Sequence, residues 1–274
     1  MEITTIIKNA LLFPSRNLET LAIYAILSLL SGAFMIEGII TLILGIVDLL
    51  NLLWGAIYII ISLIIGFITR RISIDCIKSG IDLEEKMPDF NWWQSFGTGI
   101  SKVIITIYYF IIPALLVVAI ALVTNTIGNI ITLGQEILVQ APNMITGNSA
   151  VAHDAIFHAA TPLVLSLAIT ISAALIIFLI FTFFQVMGEA RLAHTGSLKK
   201  ALNIFGAAKD ITRIGVFKVI LLSTIIFVIF AIVEGILVVI CDYFLVLSIL
   251  TIVIIPYMAL FAQRALGLLY SDIV

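Results

Sequence analysis

The chain has 274 residues, of which 62% are hydrophobic and only 11% charged, with a formal net charge of −2. A soluble domain carries roughly 25% charged residues, so this composition cannot supply a water-facing surface and excludes the soluble classes. No block of basic residues is interleaved with aromatic ones, which argues against nucleic acid as a partner.

The fourteen Lys and Arg residues occur in groups separated by paired apolar stretches. Because each pair of stretches would cross the membrane twice, every basic group returns to the same face. The positive-inside rule then predicts a cell-membrane protein with these groups and both termini in the cytoplasm. The groups are Lys8 and Arg16, then Arg70, Arg71, Lys78, Lys86 and Lys102, then Arg191, Lys199, Lys200, Lys209, Arg213 and Lys218, and finally Arg264.

The N-terminal part predicts one interfacial helix and two membrane spans. Apolar residues at helical spacing within 1–16 predict a short helix on the membrane surface that ends before Pro14. Continuous apolar stretches predict spans over 18–35 and 51–69. Residues 37–50 are apolar but too short to cross alone, so they either extend a helix or form a re-entrant piece.

The middle of the chain predicts a cytoplasmic amphipathic segment over 70–102, a third span over 104–124 and an outer loop over 125–161. Gly80 is a candidate C-cap for the helix that continues from span 2. Apolar stretches within the outer loop could lie as short helices on the membrane surface. An aromatic block before span 3 is expected to anchor at the headgroup level, and it comprises Phe90, Trp92, Trp93 and Phe96.

The C-terminal part predicts a fourth span over 162–187, a second cytoplasmic amphipathic segment over 188–218, and two further spans. The fifth runs over 214–240 and the sixth over 243–262, where Pro256 breaks it.

These elements together predict an all-α integral membrane protein, a single polytopic domain over 1–274. Its core would be a bundle of about six transmembrane helices with amphipathic interfacial helices. The apolar stretches are continuous rather than alternating, which argues against a transmembrane barrel. Cys76 and Cys241 fall at opposite ends of the predicted helices, so a disulfide framework is excluded.

Three blocks of the sequence resemble a known family. The first comprises Arg70, Arg71, Gly80, Met87 to Phe90, Trp92, Trp93, Phe96, Gly99 and the run from Tyr109 to Pro113. The second runs from Ala190 to Ala193 and on through Gly196, Leu198 and Ala201, and the third is Pro14 to Arg16. With these blocks the chain resembles archaeal multi-pass membrane proteins grouped as domain of unknown function 4013. That group is similar in appearance to the membrane domain of some glycerophosphodiester phosphodiesterases. The resemblance implies the fold and a membrane location, and it carries no activity or catalytic residues.

The basic segments are candidates for binding lipid headgroups, since basic amphipathic helices are drawn to anionic leaflets. The same charges would also be present if they served only to set the topology. The candidate headgroup and interface residues are Arg70, Arg71, Trp92, Trp93, Arg191, Lys199 and Lys200.

Glu234 is a candidate intramembrane carboxylate, because it stands within the apolar sequence of span 5. An ionisable group inside the hydrocarbon is costly and marks a functional position by default. Alternatively, Glu234 lies at the outer headgroup level. Pro113 and Pro256 either kink their helices or mark broken helices of the kind that line transport sites.

No motif in the sequence supports catalysis or a bound cofactor. His153, Asp154 and His158 are the one cluster that resembles a metal site, and zinc normally needs three or four suitably placed ligands. We therefore expect no metal and no enzyme activity.

The sequence favours a non-enzymatic membrane protein that acts through lipids or protein partners, as a scaffold or envelope component. Membrane lipids are the expected partners, with a protein partner or a homo-oligomer as a further possibility. The alternative is a small-solute carrier or permease, including a proton-coupled one, which depends on Glu234, Pro113 and Pro256.

Overall fold

The computed structural model describes residues 1–45, 48–88, 95–145, 149–243 and 245–274. Within these ranges the regular structure is helical throughout, with short 3-10 turns at Pro14–Arg16, Leu245–Leu250 and Ser271–Ile273. The α-helices are α1 Ile3–Leu12, α2 Leu18–Leu44, α3 Leu49–Ile81, α4 Ser95–Val123, α5 Thr126–Ile145, α6 Ser149–Thr195, α7 Leu198–Ala201, α8 Ile204–Ile214, α9 Val216–Tyr243 and α10 Thr251–Tyr270.

Six of these described helices are long and apolar enough to cross a membrane: α2, α3, α4, α6, α9, and α10 with its flanking 3-10 turns. The shortest of them has 27 residues, about 40 Å of helix, against a hydrocarbon core of about 30 Å. The predicted fold class is therefore confirmed: the chain is an all-α membrane protein with six helices of spanning length.

The first two spanning helices pack closely on each other. Of residues 37–50, those that the structure describes extend α2 to Leu44 and begin α3 at Leu49, so they lengthen helices and form no re-entrant piece. Ser31 and Ser62 each donate a hydroxyl hydrogen bond to the backbone carbonyl of the other, at 3.0 and 2.7 Å. Small residues that exchange hydrogen bonds in this way are typical of helix pairs in membranes.

The described chain divides into two compact units, one comprising Met1–Thr106 with Gln185–Val274 and the other Ile107–Phe184. All Lys and Arg residues belong to the first unit. Its core surrounds the end of α3, and α1 packs against α10 with Ile6 and Ala10 fully buried. One cluster of buried side chains comprises Phe13, Leu21, Tyr24, Ile72, Cys76, Met87 and Leu260.

Gly80 allows α3 and α10 to touch backbone to backbone. A Cβ atom added at Gly80 would lie 2.8 Å from the Cα of Gly267, and one added at Gly267 would lie 2.1 Å from the carbonyl oxygen of Ile77. The prediction of Gly80 as a C-cap was wrong, because α3 continues to Ile81 and Asp82 is its cap residue. Gly80 therefore allows α3 and α10 to come into contact and does not end α3.

The second unit contains the segment that was predicted as an outer loop. Of residues 125–161, those that the structure describes lie mostly in α5 and at the beginning of α6, which is a single helix of 47 residues. The hydroxyls of Thr126 and Thr170 lie 3.1 Å apart and tie the start of α5 to α6.

Proline does not break the helices at the predicted positions. Pro113 lies inside α4 and Pro256 inside α10, and both helices continue past them. The predicted break of the last span at Pro256 was therefore wrong.

A candidate lipid-headgroup surface

The short helix α8 is fixed to the first unit by one amphipathic face. The side chain of Asn203 caps its N-terminus by accepting a hydrogen bond from the backbone N–H of Gly206, at 3.0 Å. Its inward residues recur at helical spacing, as an amphipathic helix requires, and are Ala207, Asp210, Ile211 and Ile214.

Asp210 supplies the polar anchor of that face. Its Oδ2 accepts a hydrogen bond from the Tyr270 hydroxyl at 2.9 Å and lies 3.5 Å from Nη1 of Arg191. Because the carboxylate is buried, both contacts are shielded from water, and this shielding strengthens them. The ends of α6 and α10 thus hold α8 in place.

The opposite side of α7 and α8 is exposed and carries cations beside large apolar side chains. Phe205 is 88% exposed and Phe217, at the start of α9, is 78% exposed. The exposed basic residues of the same stretch are Lys199, Lys200, Lys209 and Arg213. We call the four basic residues and Phe205 the α7–α8 surface. Exposed lysine and arginine side chains in the same stretch as an exposed aromatic ring are the residue types found where proteins lie on anionic membrane surfaces.

The predicted headgroup residues that the structure describes lie in three different settings. Lys199 and Lys200 lie on the α7–α8 surface. Arg191 is half-buried and bound to Asp210, while Arg71 Nε pairs with Asp75 Oδ2 of the same helix at 2.8 Å. Arg70 is half-buried in the first unit. Trp92 and Trp93, with Phe90, lie outside the described residues, and Phe96 of the same aromatic block is exposed.

Sequence reasoning missed a buried ion pair between α4 and α6. Lys102 Nζ lies 3.1 Å from Glu189 Oε2, and both side chains are buried. Gln185 donates from its amide to Glu189 Oε1 at 3.0 Å and to the Thr106 hydroxyl at 3.3 Å. The sequence signal was the acid that directly follows span 4, but its partner is far away along the chain.

Arg264 is a second buried cation whose role the sequence did not reveal. Its guanidinium carbon lies 4.2 Å above the centre of the Phe13 ring. Nη1 donates to the Ser79 hydroxyl at 3.0 Å and Nη2 to the carbonyl of Glu84 at 2.6 Å. The residue therefore links α10, the end of α3 and the segment after α1, a structural use of its charge.

The structure does not bring the other candidates together into a site. Glu234 is exposed on α9. His153, Asp154 and His158 are exposed, with His158 Nε2 3.7 Å from Asp154 Oδ1. No group of three potential metal ligands occurs among the residues that the structure describes.

Comparison with known proteins places this chain in a family. Residues 52–241 match a family described as a protein of unknown function, DUF4013. The chain belongs to the DUF4013 family. The matched range contains the Lys102–Glu189 pair, the Asp210 anchor and the α7–α8 surface, whereas Phe13 and Arg264 lie outside it. No curated protein and no solved structure gives a significant match.

Proposed function

We propose that this protein is a non-enzymatic membrane component whose α7–α8 surface binds anionic lipid headgroups, so that it acts as a scaffold or envelope component. The proposal depends on one observation: within a single stretch, one basic residue is paired internally and four others are exposed. Arg191 is bound to Asp210, which holds α8 in place, while Lys199, Lys200, Lys209 and Arg213 are left exposed. A stretch that served only to set the topology would not need this arrangement.

The orientation is part of the proposal. The positive-inside rule supports a cytoplasmic location for the α7–α8 surface and for both termini, where the leaflet is rich in anionic lipid. Archaeal origin and a likeness to the phosphodiesterase membrane domain stay predictions from the sequence. The carrier alternative is not put forward, since Glu234, on which it chiefly depended, is exposed on α9.

The first prediction concerns bound lipid. Near an anionic surface each lysine contributes about 1 kcal/mol, about fivefold in an equilibrium constant. We expect Lys199→Gln with Lys200→Gln to weaken retention of an anionic phospholipid roughly 25-fold, at about fivefold per lysine. Native mass spectrometry of the purified protein, titrated with anionic or zwitterionic phospholipid, measures this retention.

The matched control replaces two exposed lysines of the same unit that lie off the surface, Lys8→Gln with Lys78→Gln. This variant removes the same net charge and should retain the anionic lipid like the unaltered protein. Equal losses in the two double variants, or equal retention of zwitterionic lipid, would show that the α7–α8 surface is no headgroup site.

A further inference from the structure

Two polar side chains near the start of α5 are hydrogen-bonded to α6, whereas most large aliphatic side chains of α5 are exposed. Asn129 donates from its amide to the Ser166 hydroxyl at 3.1 Å, and the Thr126 and Thr170 hydroxyls are in contact. Glu136 and Gln140, farther along the same stripe, are half-buried and hydrogen-bonded to each other at 2.8 Å. Most of the large aliphatic side chains of α5 are instead 45% to 86% exposed, and they include Ile127, Ile130, Ile131, Ile137, Leu138 and Ile145.

The length of α6 places this apolar face beyond the membrane. The helix has 47 residues, about 70 Å, which is more than twice the hydrocarbon thickness of about 30 Å. Its first part carries His153, Asp154 and His158, all exposed, and such groups are costly in hydrocarbon. The first part of α6, with α5 beside it, therefore projects out of the bilayer. In water, an apolar face of this kind marks an interaction surface.

The apolar face of α5 has the spacing of a coiled-coil seam. Six small or aliphatic residues follow one another at alternating intervals of four and three: Ile127, Ile131, Gly134, Leu138, Ala141 and Ile145. This is the a and d pattern by which two helices interlock. At Gly134 a Cβ atom would meet nothing within 4 Å in this chain, so the position is open for a partner helix to approach closely.

A second copy of the chain fits this seam. Copies in one bilayer share their orientation, so their α5 helices project on the same side, in parallel and at the same height. A two-fold axis along the membrane normal requires this arrangement. The charged residue of α5, Glu136, lies off the seam and is bonded to Gln140, so pairing brings no like charges together. The exposed surface of the four aliphatic side chains of the seam, Ile127, Ile131, Leu138 and Ile145, is about 500 Å² per copy. Full burial in a pair would therefore remove about 1,000 Å² from water, near the lower limit for a specific interface.

We infer that α5 pairs in parallel with α5 of a second copy in the same membrane, through the seam from Ile127 to Ile145. The pairing is independent of the proposed lipid binding, because α5 and the α7–α8 surface belong to different units.

Disulfide trapping in proteoliposomes tests the pairing. The parent carries Cys241→Ser and keeps Cys76, which is fully buried, and it should give no cross-link. Leu138→Cys in this parent should give a dimer on mild oxidation. Thr132→Cys, exposed on the same helix but about 120° round it from Leu138, should give at least fivefold less.

A charge on the seam should then abolish the cross-link. Ile131→Lys, at an exposed position that leaves the fold of one copy intact, should reduce the Leu138→Cys dimer at least tenfold, whereas Thr132→Lys should leave it unchanged. Circular dichroism checks that both lysine variants stay folded. Equal cross-linking at Leu138 and Thr132, a dimer that persists with Ile131→Lys, or an adduct with any other protein would overturn the inference.

Discussion

Gly267→Ala should unfold the protein at a much lower temperature than the unaltered chain. The new Cβ atom would lie 2.1 Å from the carbonyl oxygen of Ile77 and 2.9 Å from the Cα of Gly80. These are backbone atoms that no rotamer change can move, so α3 and α10 must separate. Overpacking typically costs 1–3 kcal/mol, and we expect about 3 kcal/mol here. Thermal unfolding in detergent, followed by circular dichroism, measures the loss.

The control for this variant is Gly235→Ala on α9, where a Cβ atom would meet nothing within 4 Å. Because alanine favours helix by about 1 kcal/mol over glycine, this change should leave the unfolding temperature equal or higher. The two substitutions are chemically identical and should act in opposite directions. Similar effects at both positions would mean that α3 and α10 do not touch at Gly267.

Glu189→Gln should cost roughly 3–5 kcal/mol of stability, because it leaves the ammonium of Lys102 buried without a counter-charge. The pair is well shielded, with side-chain exposures of 11% and 6%. A second change, Lys102→Met, should recover most of the loss, since replacing both partners of a buried pair by uncharged groups is often near neutral. Thermal unfolding of the two single variants and the double variant gives the coupling between the residues.

The Arg71–Asp75 pair provides the comparison for Glu189→Gln. It lies within one helix, and its side chains are more exposed, at 20% and 28%. Asp75→Asn should therefore cost no more than about 1 kcal/mol. If Asp75→Asn destabilises the protein as much as Glu189→Gln, or if Lys102→Met gives no recovery, the buried pair does not hold α4 to α6.

The number of spanning helices could be predicted because a chain must cross lipid as a long apolar helix. Such long apolar stretches are easily recognised in the sequence. The ends of these helices could not be predicted, because an apolar stretch such as 37–50 does not show where the membrane ends. In 125–161, the lack of basic residues and the several asparagines and glycines suggested an outer loop. The polar residues Asn129, Glu136 and Gln140 in fact recur at helical spacing, a signal of α5 that was available in the sequence.

The candidate surface was predictable only in part, for a similar reason. Composition identifies 188–218 as basic, but it cannot tell which cation is bound internally. Arg191 pairs with Asp210, whereas Lys199 and Lys200 remain exposed, and tertiary packing alone decides this. Contacts between residues far apart in sequence, such as Lys102 with Glu189 and Gly80 with Gly267, leave no local trace in a single sequence.

Phe205 offers the most direct test of the central claim that the α7–α8 surface contacts anionic headgroups. Phe205→Cys in the Cys241→Ser parent accepts a bimane label at a position of that surface that is 88% exposed. In proteoliposomes, an anionic lipid brominated near its headgroup should quench the label at least twice as strongly as the brominated zwitterionic lipid at equal mole fraction. Equal quenching by both lipids, or quenching by aqueous iodide alone, would contradict the account.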